Sequence, residues 1–157
     1  MSMNQLTIFG EEQSEITTDD YYTPHWLFDQ MGVEFDLDVA APPGGVAWIP
    51  AKNFYTMKDD GLSSEWRGRV WMNPPFSKPS PWVRKFIEHR NGVCLLPTGK
   101  SGWYDDLWAS EAGIVSLPAN FKFARDNVTA TSIFIRVFLA AFGDECVEAI
   151  GRVGRIR

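Results

Sequence analysis

Apolar positions along this chain come in short runs separated by polar, proline-rich and glycine-rich stretches, and each run's period predicts an element. The first twenty residues are polar and acidic without a period, which predicts a loosely ordered N-terminal arm (1–20) ahead of a single domain over 21–157. Thr23-Pro24 reads as a helix start, with Thr at the cap and Pro at the first helical position. Leu27, Phe28 and Met31 form its apolar face, and Gly32 ends it. VEFDLDVA (33–40) alternates and then runs apolar, as a strand does, and stops at Ala41-Pro42. Residues 42–62 are loop-rich and carry no clear element. GRVWM (68–72) is a second strand.

Ser80-Pro81 repeats the capping signature and opens a helix that buries Trp82, Val83, Phe86 and Ile87 and turns Arg84, Lys85 and Glu88 outward. GVCLLP (92–97) is almost unbroken in its apolar character, as expected of a strand in the middle of a parallel sheet. A helix near 102–110, a strand at GIVSL (113–117), a long strand at TSIFIRVFLAAFG (131–143) and a final short helix capped by Asp144 complete the pattern. Strands alternating with helices predict a three-layer α/β fold with a mostly parallel sheet.

Composition narrows the class. At 157 residues, 45% of them hydrophobic, one domain with a proper core is expected. Two cysteines, Cys94 in an apolar run and Cys146 after acidic residues, have no partner at metal spacing, so a reducing cytoplasm is the expected compartment. No signal peptide and no run of about 18 apolar residues is visible. A net charge of −5 disfavours bulk attraction to nucleic acid, although a local basic face is enough for contact. Seven tryptophans suit core filling, with one or two free to stack on planar ligands.

In an open α/β sheet, ligands bind beyond the carboxyl ends of the strands. Three strand tips then share a rim: Asp38 to Ala41, Asn73 to Phe76, and Pro97-Thr98-Gly99. The chain has neither GxGxxG nor GxxxxGK[ST], and His25 and His89 are too isolated for a metal or a hydrolytic triad, so no metal is expected. The tip Asn73-Pro74-Pro75-Phe76 is the unusual one. Its prolines end the strand because they cannot donate to a ladder. The Asn73 amide oxygen and the Pro74 carbonyl are two acceptors, Pro75 stiffens the second, and Phe76 adds a flat apolar face. Together they suit a planar group bearing an NH₂, such as adenine. Accepting both N–H bonds favours a more tetrahedral nitrogen, whose lone pair can attack an activated methyl by orientation rather than by a strong base.

Asn73-Pro74-Pro75-Phe76 matches the Asp/Asn/Ser-Pro-Pro-aromatic motif of amino-group methyltransferases that use S-adenosylmethionine. The wider pattern resembles the phage-type DNA N-6-adenine methyltransferase family: YYTPHWLFD (21–29), FDLDVAA (35–41), DDGLSSEWRGRVWMNPPFS (59–77), PWVRKF (81–86) and LLPTGKSGWYDDL (95–107). The resemblance covers roughly residues 20 to 143. It implies a compact Rossmann-like methyltransferase fold lacking some elements, S-adenosylmethionine as cofactor, DNA as partner, and methyl transfer to N6 of an adenine flipped into the pocket. It makes Asn73 and Pro74 the holders of the target amine, with Pro75 behind them and Phe76 stacking on the base. Thr23 and Pro24 come near the cofactor's carboxylate end. Asp38 and Ala40 occupy the place of the first cofactor motif, Asp60 faces the cofactor's ribose or adenine, and Asn73 also touches its methionine part.

Some positions depart from that pattern. DVAAPPGG keeps only Gly44-Gly45 of the usual glycine-rich turn, and Ala119-Asn120-Phe121-Lys122-Phe123 stands where relatives carry Gly-Arg-x-Lys-Phe. No segment is left over for a separate target-recognition domain. Lys78, Lys100, Lys122 and Arg125, with Arg84 and Lys85, either track phosphates around the site or form ordinary solvated faces. Arg152, Arg155 and Arg157 make the tail basic. Two rival readings stay open: a methyltransferase acting on protein glutamine, and a non-enzymatic nucleic-acid-binding module descended from an enzyme. Recognition sequence, strand preference and oligomeric state, a dimer included, stay open as well. The resemblance suggests a phage or mobile element as source.

Overall fold

A computed structural model describes residues 22–125, 128–131 and 135–157. The expected N-terminal arm lies outside the described residues. The elements run α1 (His25–Met31), β1 (Phe35–Asp38), β2 (Ala51–Phe54), β3 (Val70–Met72), α2 (Ser80–His89), β4 (Gly92–Pro97), α3 (Gly102–Ala109), β5 (Gly113–Ser116), β6 (Phe123–Arg125), β7 (Val128–Thr131), β8 (Val137–Phe142) and α4 (Asp144–Gly151). Six strands form one sheet in the order β2-β1-β3-β4-β8-β5, and β6 pairs with β7 in a separate antiparallel hairpin. The left half of the sheet is parallel, with β1 paired to β2 and β3, and β3 to β4. Strand β8 runs antiparallel to both β4 and β5.

Alternation along the strands divides the core in two. Phe35, Trp71, Val93, Leu95 and Leu139 face α1 and α4, meeting Leu27, Phe28, Met31, Ala149 and Ile150. Leu37, Val70, Met72, Cys94 and Leu96 face α2 and α3, meeting Val83, Phe86, Trp103 and Leu107. The fold is therefore the expected three-layer α/β sandwich, with β4 buried on both faces along its whole length.

Several local expectations need correction. None of the three expected caps forms a side-chain cap bond. Pro24, Pro79 and Gly143 occupy the cap positions, Ser80 and Pro81 are already inside α2, and Asp144 is the first residue of α4. The strand expected at 33–40 is confined to 35–38. Residues 42–62 contain an edge strand, β2, whose pattern is concealed because Lys52, Asn53 and Phe54 are exposed. The strand expected at 131–143 starts only at Val137, and β4 has one parallel and one antiparallel neighbour rather than two parallel ones. Trp82 and Ile87 are half-buried, and Lys85 turns inward.

The basic tail is in part structural. The Arg152 guanidinium donates to the carbonyl of Met31 at the end of α1, while Gln30 Nε2 donates to the Arg152 carbonyl at 2.9 Å. A cation on the last carbonyls of a helix completes bonds the helix itself leaves open. Arg152→Ala is expected to lower stability by about 1–2 kcal/mol, read as a fall of several degrees in melting temperature, with DNA affinity unchanged. Weaker DNA binding at an unchanged melting temperature would return Arg152 to the nucleic-acid face.

Candidate active site at the strand tips

Parallel pairing puts the ends of β1, β3 and β4 on one rim: Asp38 lies opposite Trp71, and Met72 opposite Cys94. Because β8 is antiparallel, it enters the sheet at that rim, and Thr98 N donates to Arg136 O at 3.0 Å. The expected convergence of the Asp38, Asn73 and Pro97 tips is therefore what the sheet builds.

At the β3 tip, Pro74 is buried, while Asn73, Pro75 and Phe76 are half-buried. A turn closes after them, with Lys78 N bonded to Pro75 O at 3.2 Å. Asn73 Nδ2 donates to Thr23 Oγ1 at 3.3 Å. Among the described residues, neither the Asn73 amide oxygen nor the Pro74 carbonyl has a hydrogen-bond partner. This is the pair of open acceptors that the sequence suggested, with the amide's donor end already engaged.

Thr23 explains why its own expected cap is absent. Its side chain is wholly buried and turned to Asn73, fifty residues away, instead of to the first turn of α1. Its carbonyl accepts from Trp48 Nε1 at 2.8 Å, and Tyr22 just before it exchanges two backbone bonds with Ala124 of β6. The segment 22–24 is thus a strap across the rim. Trp48 was missed by sequence reasoning, and in a proline-glycine loop no periodicity could have marked it.

Phe76 is less free than its sequence context implied. It meets Phe123 edge-to-face at 6.2 Å, Phe123 meets Phe121 at 5.0 Å, and Phe121 meets Trp26 at 5.8 Å. Phe121 and Phe123 belong to the stretch that departs from the Gly-Arg-x-Lys-Phe pattern. Phe123 packs T-shaped with the Phe76 ring, the geometry aromatic quadrupoles favour, and Phe121 packs on Phe123 behind it.

At the β1 tip, Asp38 is 3% exposed. One carboxylate oxygen accepts from Ala40 N at 3.2 Å, and among the described residues no cation pairs with it. Burial is the dominant cause that pushes its pKa up to about 7, and the Ala40 hydrogen bond only partly opposes it. A buried carboxylate with a single donor is chemically short of partners, and a ligand offering N–H or O–H groups would supply them. Gly44 and Gly45 both take positive φ in the turn beyond, and a side chain at Gly45 would strike the Phe54 ring. Asp60 is exposed in left-handed backbone (φ 56°), one residue before Gly61, whose backbone lies against Val39.

The basic residues divide. Lys78 and Lys100 follow the β3 and β4 tips, Lys122 lies between the two supporting phenylalanines, and all three are exposed with no ion pair among the described residues. The Arg125 side chain falls outside the described residues. Lys85 leaves this group, because it bonds three backbone carbonyls. His25 pairs loosely with Asp29 and His89 bonds Gly68 O, so neither joins the rim. Among the described residues no three metal-ligating side chains cluster, and no helix is long and apolar enough to cross a membrane.

Comparison with known proteins adds an independent finding. The sequence model of a family described as DNA N-6-adenine-methyltransferase (Dam) matches residues 11–132. A DNA N-6-adenine-methyltransferase of Haemophilus phage HP1 is 35% identical over 94 residues, covering 53% of this chain and 53% of the relative. One of Escherichia phage T1 is 32% identical over 94 residues, covering 55% of this chain and 38% of the relative. The matches thus span about half or less of the relatives' own length.

Asp38 also sets a pH dependence. Its pKa is raised in the fold, so the folded chain holds a proton that the unfolded chain has released. Between roughly pH 4 and 7 its contribution to stability falls as pH rises, and above 7 it is level. Asp38→Asn is expected to flatten that slope and to be more stable than wild type at pH 8 by on the order of 2–4 kcal/mol. Denaturant unfolding at pH 5 and 8 measures it. An equal loss of stability at both pH values would mean the carboxylate is already paired.

Proposed function

The chain belongs to the DNA N-6-adenine-methyltransferase family, and we propose that it transfers a methyl group from S-adenosylmethionine to N6 of adenine in DNA. The observation that carries this reading is the pair of unpartnered acceptors at Asn73 and Pro74, with the amide's NH₂ end tied to buried Thr23. Both acceptors receive N–H bonds from the target amine, which localises the nitrogen lone pair and directs it out of the ring plane. Thr23 keeps the amide from turning its donor end toward the amine. Phe76, packed T-shaped with Phe123, stacks on the base, and Pro75 stiffens the turn beneath it.

The residues at the β1 tip fit the methyl donor. Asp38 lacks donors, and S-adenosylmethionine carries an ammonium and ribose hydroxyls that provide them. Ala40, Asp60, Thr23, Pro24 and Asn73 complete the proposed donor site. When bound, that cofactor supplies a methyl group activated by its sulfonium. Everything else is positioning by this chain.

A base inside a duplex cannot enter such a rim, so the target adenine flips out, at a cost of a few kcal/mol. Stacking on Phe76 offsets roughly 1–3 kcal/mol of it. Lys78, Lys100, Lys122 and Arg125 contact phosphate around the site, a local basic edge on a chain of net charge −5.

The test is direct. The protein is incubated with unmethylated DNA and S-adenosylmethionine, and the digested nucleosides are examined by mass spectrometry for N6-methyladenine. Asn73→Ala should abolish the product while leaving the fold intact. Thr23→Val should lower kcat roughly 5- to 30-fold, the worth of one orienting hydrogen bond. Donor binding without methylated DNA, and label appearing on protein, would redirect the site to another amine. No donor binding would leave a nucleic-acid-binding module. Normal activity in Asn73→Ala would remove that residue from the chemistry.

A further inference from the structure

Lys85 follows the Asn-Pro-Pro-Phe turn by nine residues, near the middle of α2, and was expected to point to solvent. Its ammonium instead donates to three carbonyls of one loop: Gly61 at 3.1 Å, Leu62 at 2.8 Å and Ser64 at 2.5 Å. It also stands 5.1 Å from the centre of the buried Trp66 ring. Trp66 Nε1 donates to Gly61 O at 2.8 Å, so ammonium and indole converge on one carbonyl. Partial desolvation pulls the Lys85 pKa below the ordinary lysine range, opposed by Asp60 and Glu88. An ammonium with three donors matches three convergent carbonyls; a planar guanidinium would not.

The loop so held lies at the β1 tip. Tyr55 N, at its start, donates to Asp38 O at 2.8 Å, and Tyr55 OH closes it by donating to Glu65 O at 2.6 Å. In its middle, a Cβ on Gly61 would come within 2.2 Å of Val39 O and 3.1 Å of the Trp82 ring. No other residue type leaves the loop backbone where it is. Gly61 therefore rests directly against Val39, the residue after Asp38, and Asp60 is carried beside it.

We propose that Lys85 is a positioning residue for the methyl-donor site, holding the loop Asp59–Trp66 against the Asp38 tip as a wall of that site and linking it to the helix that follows Asn73-Pro74-Pro75-Phe76. The inference rests on the donor site assigned above to the β1 tip. Lys85 touches neither donor nor base; it sets where the loop backbone and Asp60 stand. Its loss consequently acts on donor affinity and not on the chemical step.

Lys85→Met keeps the stem and removes the three donors. S-adenosylmethionine affinity by calorimetry, and KM and kcat with unmethylated DNA, are compared with wild type. The donor Kd and KM are expected to rise about tenfold or more, with kcat at saturating donor within about threefold. Lys85→Gln, which keeps two N–H donors, should recover part of the affinity. Hydrogen exchange on the wild-type protein supplies a reading that needs no variant: donor should slow exchange of the 61–64 amides.

Unchanged donor affinity in Lys85→Met, a fall in kcat at constant KM, or no protection of 61–64 would each overturn the proposal. Wild type that binds donor but methylates no DNA would sink the substrate assignment alone, since the affinity comparison still stands. Wild type that binds no donor would overturn both.

Discussion

Every side chain of Gly92–Pro97 is buried, so this strand needs a helical layer on each face and a strand on each side. That constraint orders the rest. Helices α1 and α4 cover one face and α2 and α3 the other. The parallel strands β3, beside β4, and β1, beyond it, end on the same side as β4, and three tips meet at that rim. Chemistry is placed at that rim by residues that cannot extend the ladder, Pro74 and Pro75 above all.

The rim also differs from the core in how its polar groups are satisfied. In the loop before β3, three carbonyls share one lysine. At the tips, among the described residues, Asp38 has one backbone donor, and the acceptors of Asn73 and Pro74 have none. Two further orphans, the Nε atoms of Arg69 and Trp71, are buried in the body of the sheet. The rim acceptors differ because they sit at strand ends, where a ligand can complete them.

Legibility of the fold followed burial. Strand β4 and helix α3 were readable because unbroken apolar runs and a helical spacing leave few alternatives. Strand β2 was not, since an edge strand with Lys52, Asn53 and Phe54 exposed has no alternation to read. The Asn-Pro-Pro-Phe turn was legible because proline acts locally. The caps were misread for the opposite reason: Thr23 had a distant partner, Asn73, and a tertiary hydrogen bond outweighed a local propensity. Lys85 was misread in the same way, because helical periodicity locates a Cβ but says nothing of where a four-carbon stem ends. The stretch 119–123 departs from the pattern at Ala119 and Asn120, while its Phe123 keeps a part through contact with Phe76.

The tertiary contacts that sequence could not reveal share a form. Thr23 reaches Asn73 across fifty residues, Trp48 reaches Thr23 across twenty-five, and Lys85 reaches back more than twenty to the loop against Val39. The first two tie irregular segments to one another at the rim, and the third ties a loop to helix α2. A loop left to itself would sample many conformers, and a ligand would have to order it on binding, losing affinity to that entropy. Buried anchors shift the ordering cost into folding, where the large core on both faces of β4 can absorb it. The site's geometry is thus tied to the sheet through a few long-range polar contacts, and the Asn73 amide keeps its direction because its NH₂ end is held by Thr23.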